Sequence, residues 1–246
     1  MKRSIYLGFE PRESVGFDVC KMSILRRMSE SIPIHALHLE DMQARGLYTR
    51  PTERRDGRLY DLLSATDTYN GAMATEFAIS RFLVPTLARE GAALFLDGSD
   101  MLVRCDLARV FEIAEHEFKR GAAVACVKHL NRSQQVDFKM DGQLQTYYHR
   151  KNWTSVIAFN CDMPQVRNML SVERVNKFPG RDLHGLSYFD GLIAGLPPCY
   201  NHLVGVDEHD PNAKIVHWTL GGPMLDGYAD VPFAEEWRAE QRGLAA

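Results

Sequence analysis

Apolar runs and helically spaced apolar positions alternate along most of this chain. A run of about five apolar residues bounded by turn residues is typical of a strand buried on both faces, whereas apolar residues that recur every three or four positions indicate a helix. The pattern predicts strands over 4–8, 34–39, 92–96, 122–128, 156–161 and 214–218. It predicts helices over 15–28, 74–90, 107–119, 162–170 and 186–193, and a charged helix beyond 230. The opening strand–helix–strand order favours an α/β fold with a parallel sheet.

The apolar run Ala92–Leu96 leads directly into Asp97-Gly98-Ser99-Asp100. Two carboxylates at the end of a buried strand are costly unless a positive group meets them. Ligands of open α/β sheets bind beyond the carboxyl ends of the strands, and a divalent cation held by Asp97 and Asp100 would leave positions open for phosphate oxygens. Because Asp, Gly and Ser are also common turn residues, this stretch alone leaves a metal site and a polar β-turn open.

Arg81 lies among the apolar positions of the predicted 74–90 helix, just before the acidic strand. An arginine there can reach forward to the carboxylates or to a bound phosphate. It can equally extend its charged end to solvent, and the helix pattern alone favours that alternative.

The 246 residues show no internal repeat, low-complexity tract or linker, so one domain is predicted. Residues 43–70 are polar and carry few periodic apolar positions, which predicts a long loop.

Hydrophobic residues make up 45% and charged residues 25% of the chain, which is typical of a globular protein. The formal net charge of -3 gives no long-range attraction to nucleic acid. No apolar run is long enough to span a membrane, and residues 5–9 are too short for a signal-peptide core. The scattered cysteines fit buried thiols better than disulfides or zinc ligands, so a cytoplasmic protein is expected.

Several short motifs follow one another in a recognisable order. They are Ile5–Glu13, Ser80–Pro85, Phe95–Val103, Asn152–Val156, Asp182, Leu196-Pro197 with Asn201, and His217 with Gly221-Gly222-Pro223. In this order they resemble the motifs of GT-A glycosyltransferases, most closely the family-8 group that includes bacterial galactosyltransferases and glycogenin. The resemblance implies a single-domain, Rossmann-like GT-A fold with a mostly parallel central sheet flanked by helices. It also implies that residues up to about 103 bind the nucleotide and that 104–246 form the acceptor side.

The resemblance assigns roles to individual residues. Asp97 and Asp100 stand in the DXD strand of that group, and His217 stands where its third metal ligand lies. Asp182 and Asn152 stand near the reacting sugar. The positions implied to bind the nucleotide-sugar are Gly8, Phe9, Glu10, Arg12, Arg81, Gly221 and Gly222, the last two through backbone N–H groups.

The chain departs from the group at three places. Its acidic motif has one residue more than Asp-X-Asp, and its Asp-Gln-Asp segment is reduced to Arg181-Asp182-Leu183-His184. The lysine of the terminal His…Gly…Lys-Pro-Trp motif is missing, and Met224 follows Pro223.

The implied reaction moves a sugar from a nucleoside diphosphate, expected to be UDP, to an unknown glycan, lipid-linked or protein acceptor. A divalent metal stabilises the charge that develops on the leaving diphosphate, and an imidazole beside two carboxylates favours Mn²⁺ over Mg²⁺. The transition state resembles an oxocarbenium ion, which Asp182 or Asn152 can approach. The resemblance implies retention of configuration. Trp153, Tyr147 and His184 are candidates for sugar contacts or for plain packing.

Three functions are alternatives to a glycosyltransferase. A phosphatase with an aspartyl nucleophile needs glycine after the second carboxylate, whereas Gly98 follows the first. A nucleic-acid-binding module is disfavoured by the acidic balance. A nucleotide-sugar-binding protein that has lost turnover remains open because the Asp-Gln-Asp segment is reduced.

Overall fold

The structure is a computed structural model that describes residues 1–66, 69–130, 138–139, 143–144 and 150–244. Its strands are β1 (Arg3–Gly8), β2 (Ile34–Leu37), β3 (Thr52–Arg55), β4 (Arg58–Asp61), β5 (Ala72–Met73), β6 (Ala92–Leu96), β7 (Met101–Val103), β8 (Val124–Cys126), β9 (Phe138–Lys139), β10 (Gln143–Leu144), β11 (Val156–Asn160), β12 (Ile193–Gly195), β13 (His202–Leu203) and β14 (Ile215–His217). The strands predicted from apolar runs are all present.

Its helices are α1 (Ser14–Leu25), α2 (Leu39–Ala44), α3 (Phe77–Ser80), α4 (Val84–Ala88), α5 (Ala108–Lys119), α6 (Pro164–Met169), α7 (Val172–Lys177), α8 (Gly180–Gly185) and α9 (Ala234–Arg242). Short 3-10 turns include Pro11–Glu13, Arg81–Leu83, Ser187–Phe189 and Pro198–Asn201. None of the helices that the structure describes combines the length and the apolar character needed to cross a membrane.

The central sheet has the strand order β12-β8-β11-β6-β1-β2. The β1–β2, β1–β6 and β8–β12 pairs are parallel, whereas β11 is antiparallel to both of its neighbours. A second sheet, ordered β13-β14-β7, lies where the chain leaves β6. The α/β fold with a central, mostly parallel sheet is therefore confirmed.

Alternate residues of the central strands feed two hydrophobic clusters on opposite faces of the sheet. Tyr6 and Phe95 belong to one cluster, and Ile5, Leu7 and Leu94 belong to the other. Both faces are covered, so the strands read as continuous apolar runs rather than as an alternating pattern. This explains why the apolar runs located the strands correctly.

The predicted 74–90 helix is wrong as a single element. It is divided into α3, the 3-10 turn Arg81–Leu83 and α4, and Pro85 lies in the first turn of α4. Proline has no N–H for an intrahelical hydrogen bond, so a regular helix does not run through it.

The predicted 186–193 helix is also wrong. Leu186 has φ 51° and ends α8, and Gly191 has φ 81°, so neither residue continues a right-handed helix. The segment instead forms a 3-10 turn and then β12.

The predicted 43–70 loop contains structure. A hairpin of β3 and β4 turns at Asp56-Gly57, both with positive φ, and β5 completes a small sheet. Most residues of β3 and β4 are polar or charged, which hides this sheet from hydrophobic periodicity, although Asp-Gly is itself a hairpin signal.

Candidate active site

The acidic loop 97–100 leaves the carboxyl end of β6 and leads into β7. The antiparallel pairing of β14 with β7 places His217 opposite Met101, directly after this loop. The Trp218 N–H also donates to the Asp100 carbonyl oxygen at 2.9 Å. Two chain segments that are more than a hundred residues apart are thereby fixed side by side.

Asp97, Asp100 and His217 form a compact cluster. One ligand atom from each lies within 4.8 Å of the others. His217 Nε2 lies 3.2 Å from Asp100 Oδ2 and 4.0 Å from Asp97 Oδ2. The imidazole is 2% exposed, whereas the aspartate side chains are 14% and 13% exposed, so the cluster opens to solvent on its carboxylate side. This donor set fits a divalent cation of the borderline type.

Two glycines shape the loop, and sequence reasoning gave neither of them a structural role. Gly98 has φ 82°, and a Cβ there would lie 2.7 Å from the Gly8 carbonyl oxygen. A Cβ on Gly16 in α1 would lie 2.0 Å from the Ser99 carbonyl oxygen. Only a residue without a side chain allows β1, α1 and the loop to approach this closely.

Arg81 does not extend to solvent. It is 5% exposed and donates to Asp97 Oδ1 at 2.5 Å and to the Thr154 carbonyl oxygen at 2.9 Å. Its guanidinium also lies 5.3 Å from the Phe77 ring centre and 4.8 Å from that of Phe95. Arg81 therefore holds Asp97 in place and offsets part of the negative charge of the loop.

The loop after β1, which the resemblance assigns to the nucleotide, buries its two glutamates and exposes Pro11 and Arg12. Glu10 is 2% exposed, and its carboxylate accepts from Arg12 Nε at 2.6 Å and from the Glu76 N–H at 2.9 Å. Glu10 and Arg12 therefore orient each other.

Glu13, a further acidic residue of this loop, was missed by sequence reasoning. Burial, followed by the charges of Asp100 and Glu10, raises its pKa to about 8. Nothing in the spacing of the acidic residues marks Glu13, because only the packing of the 3-10 turn brings it near the acidic loop.

Gly8 ends β1, and Phe9 is the first residue of this loop. A Cβ on Gly8 would lie 2.5 Å from the Phe77 ring, so this position requires glycine. The half-buried Phe9 ring lies 4.3 Å from the His38 ring and 5.2 Å from that of Phe17, measured between centres. Phe9 and His38 thus present two adjacent rings at the carboxyl ends of β1 and β2.

Asn201 connects the predicted metal ligand to the predicted sugar loop. Its Oδ1 lies 3.0 Å from His217 Nδ1, and its Nδ2 donates to the Asn152 carbonyl oxygen at 3.1 Å. Asn152 has φ 64°, a left-handed conformation that asparagine tolerates better than most residues. The spacing of the motifs pointed to Asn201 but not to this bridging position.

The predicted catalytic Asp182 lies on α8, and its side chain is 50% exposed. Its Oδ1 lies 3.6 Å from Arg181 Nε. His184, two residues later, is half-buried. Its Nδ1 lies 2.8 Å from Thr154 Oγ1, and its ring packs edge-on against Phe82 at 5.1 Å. The described contacts therefore connect His184, and not Asp182, to Thr154, whose carbonyl oxygen accepts a hydrogen bond from Arg81.

The remaining sugar and phosphate candidates differ in outcome. Trp153 donates from Nε1 to the His129 carbonyl oxygen at 3.0 Å and packs under Arg150, as a structural residue would.

The Gly221 N–H donates to the Trp218 carbonyl oxygen at 2.9 Å, contrary to the expectation that it faces a phosphate. A Cβ on Gly222 would lie 2.8 Å from Met224 Sδ, a contact that a shift of this flexible side chain would relieve. Tyr147 lies outside the described residues.

The sequence is similar to a curated plant protein. The chain is 36% identical over 243 residues to Protein CDI of Arabidopsis thaliana, an alignment that covers 96% of this chain and 85% of that protein. No family model matches the sequence.

The solved structures most useful for comparison are glycosyltransferases. GlyE of Streptococcus pneumoniae TIGR4 matches 98% of this chain with a TM-score of 0.57 and 14% identity, and this chain spans 61% of it. The galactosyltransferase LgtC, solved with donor and acceptor sugar analogues, matches 99% with a TM-score of 0.54 and 15% identity, and this chain spans 96% of it. The bifunctional WbbM matches 97% with a TM-score of 0.53, and this chain spans 51% of it. The chain therefore has the GT-A glycosyltransferase fold.

Proposed function

The chain belongs to the family of Protein CDI of Arabidopsis thaliana, and we propose that it is a metal-dependent glycosyltransferase that uses a nucleoside-diphosphate sugar. The observation that carries the proposal is the cluster of Asp97, Asp100 and His217 at the carboxyl end of β6, in a chain with the GT-A fold. Ligands bind at this edge in open α/β sheets.

The charges of the site suit a diphosphate that binds together with a divalent cation. Asp97 and Asp100 carry two negative charges, and Arg81 offsets one of them through its ion pair with Asp97. A divalent cation would make the cluster net positive, which favours a diphosphate. Asp97, Asp100 and His217 would hold the metal. When bound, it stabilises the negative charge of the departing diphosphate as a Lewis acid.

The protein groups around the cluster have separate tasks in the proposed reaction. Arg81 fixes the Asp97 carboxylate, and through the family-8 resemblance we assign the side-chain amide of Asn152 to the sugar. Asp182, on the exposed side of α8, is accessible to a sugar or an acceptor that enters from solvent. Retention of configuration belongs to the proposal through the resemblance to family 8.

The preference for Mn²⁺ rests on the imidazole in the ligand set, because nitrogen ligands favour transition metals over Mg²⁺. The preference for UDP rests on the family-8 resemblance. The unpaired state of Cys20, Cys105, Cys126, Cys161 and Cys199 supports the proposal of a cytoplasmic location.

A catalytically weak nucleotide-sugar-binding protein is the second candidate. The exposed position of Asp182, together with the reduced Asp-Gln-Asp segment, favours it. Such a protein would bind a UDP-sugar with Mn²⁺ but would neither transfer nor hydrolyse the sugar.

The test is calorimetric titration of the full chain with UDP and with GDP, each with and without Mn²⁺. Metal-dependent UDP binding supports the proposal, and a panel of UDP-sugars in a hydrolysis assay then separates the enzyme from the binding protein. Metal-dependent binding of GDP alone would mean that the donor is a GDP-sugar and not a UDP-sugar. Absence of metal-dependent binding of either nucleotide would refute the proposed function.

A further inference from the structure

Asn201 contacts two parts of the site and is itself inaccessible to solvent, with 0% exposure. It ends the 3-10 turn Pro198–Asn201, directly before β13, and β13 pairs in parallel with the strand that carries His217. A buried amide in this position is costly unless its hydrogen bonds are made, so its two partners fix its orientation.

The orientation of the amide follows from the Asn152 carbonyl. If the amide were reversed, Oδ1 would face the Asn152 carbonyl oxygen at 3.1 Å, and two acceptors would oppose each other without a proton. Nδ2 therefore donates to Asn152, and Oδ1 faces His217 Nδ1 at 3.0 Å. Since Oδ1 can only accept, Nδ1 must carry a proton.

The protonated Nδ1 determines which nitrogen of His217 is available as a ligand. Nε2 is the nitrogen that points toward the acidic loop, at 3.2 Å from Asp100 Oδ2. A histidine that binds a metal through one nitrogen usually donates the other N–H to an acceptor, which fixes the ring and its tautomer. Asn201 provides such an acceptor without adding another carboxylate to a region that already contains Asp97, Asp100 and Glu13.

The other end of the amide holds the segment that carries Asn152. The Asn152 carbonyl oxygen also accepts from Ser155 Oγ at 3.1 Å and from the Ser155 N–H at 3.4 Å. Asn152 itself is in the left-handed region, with φ 64°. A conformation of this kind persists when its surroundings hold it, and Asn201 is one of the groups that do so.

We infer that Asn201 is a positioning residue that directs His217 Nε2 toward the metal and fixes the Asn152 loop through the same amide group. The inference deepens the proposed function, because the metal-ligand role of His217 rests on it. The hydrogen-bond pattern of His217 can be measured without any metal or substrate.

The first experiment records two-bond ¹H–¹⁵N correlation spectra of the wild-type chain labelled at histidine, with His217 assigned by comparison with His217→Gln. We expect Nδ1 to be protonated in the metal-free protein and to stay protonated when Cd²⁺ binds at Nε2. An unprotonated Nδ1 in either state would overturn the inference, and this result does not depend on whether any variant folds.

The second experiment measures Mn²⁺ affinity by water-proton relaxation for Asn201→Leu and Asn201→Asp, with the exposed Asn212→Asp as the matched control. Leucine removes both contacts, and we expect roughly 10- to 100-fold weaker Mn²⁺ binding, the usual cost of losing an outer partner of a ligand histidine. Aspartate keeps an acceptor for Nδ1 and should retain affinity, as should the control. Equal affinity of Asn201→Leu and wild type would overturn this inference alone, whereas absence of Mn²⁺ binding by wild type would overturn the proposed function.

The third measurement is amide hydrogen exchange of residues 150–155. An ionised aspartate at position 201 has no proton to donate to the Asn152 carbonyl, so we expect faster exchange in Asn201→Asp than in wild type. An unchanged exchange rate would remove the loop-fixing part of the inference. Asn201→Asp thus separates the two contacts, since it keeps the one to His217 and loses the one to Asn152.

Discussion

Two buried arginine–aspartate pairs in this protein have opposite surroundings. Arg50 and Asp61, at 0% and 2% side-chain exposure, form a pair in which Arg50 also donates to the carbonyls of Val175 and Phe178. In the pair of Arg81 and Asp97, the aspartate is 14% exposed and faces His217 Nε2 at 4.0 Å through its second oxygen.

The difference separates a structural pair from one suited to binding. The Arg50–Asp61 pair uses its hydrogen-bonding groups to tie β4 to the α7 region and presents no open side to a ligand. The Arg81–Asp97 pair shares its carboxylate with a cluster that opens to solvent. Burial of an ion pair therefore does not by itself mark a functional site, whereas a buried arginine that positions one member of an accessible acidic cluster marks a candidate binding site.

The largest expected effect comes from breaking the structural pair. Asp61→Asn leaves the Arg50 charge buried and uncompensated, which should lower the free energy of unfolding by about 3–5 kcal/mol. Urea unfolding measures this loss, and Asp56→Asn in the exposed hairpin turn is the control. At low temperature the folded variant should still bind Mn²⁺. Loss of Mn²⁺ binding by the folded variant would contradict the separation of the two regions.

The next effect concerns the binding cluster. His217→Ala should weaken Mn²⁺ binding by more than about 100-fold, because removing a ligand costs more than removing the partner of a ligand. Asp100→Ala should do the same, and the exposed His116→Ala should not. Calorimetry with Mn²⁺ measures the change. Wild-type affinity in either variant would remove that residue from the ligand set.

Arg81→Met should lower the free energy of unfolding by about 1–3 kcal/mol, because it leaves a largely buried carboxylate without its donor. Mn²⁺ should restore part of the loss, since a cation bound to Asp97 replaces the missing charge and stabilises only the folded state. Thermal unfolding with and without Mn²⁺ tests this, with Arg45→Met as control. An Mn²⁺ effect no larger than in wild type would place Arg81 with Arg50 as a purely structural residue.

The smallest effect belongs to a pair outside both regions. Hydrogen bonds from Arg3 lower the pKa of Glu115, so the ionised pair stabilises the folded state at neutral pH. This contribution is lost as the pH falls through the lowered pKa of the folded state. Glu115→Gln should cost ~1 kcal/mol at neutral pH, and the difference from wild type should disappear in acid. Urea unfolding across the acid range measures it, and a pH-independent difference would contradict the assignment.

Sequence patterns located the strands better than the helices. The strands of the central sheet are covered on both faces, so their apolar runs are continuous. The 74–90 segment has helical spacing, yet Pro85 divides it, and 186–193 has apolar residues that serve a turn and a strand. Short elements in a crowded core owe their conformation to their neighbours, which local periodicity does not record.

Within the site, residue types and their order pointed to Asp97, Asp100 and His217, and the structure places these three together. Their ligand role stays a prediction that the Mn²⁺ titrations test. Without the acidic motif, sequence reasoning favoured a solvent-exposed Arg81, and that alternative is wrong because the 3-10 turn that carries Arg81 is buried. Glu13, Gly16 and the bridging contacts of Asn201 were missed, since their roles depend on contacts between distant segments.

Local composition and strand pattern are enough to specify the α/β class and the acidic loop at the end of a buried strand. Tertiary structure alone decided that His217 stands beside Asp100, that Arg81 holds Asp97, and that Asn201 joins His217 to Asn152. These contacts link residues far apart in the chain, and their distances come from strand register and helix packing. No local propensity encodes the distance between two such side chains, since it is fixed only when the strands pair and the helices pack.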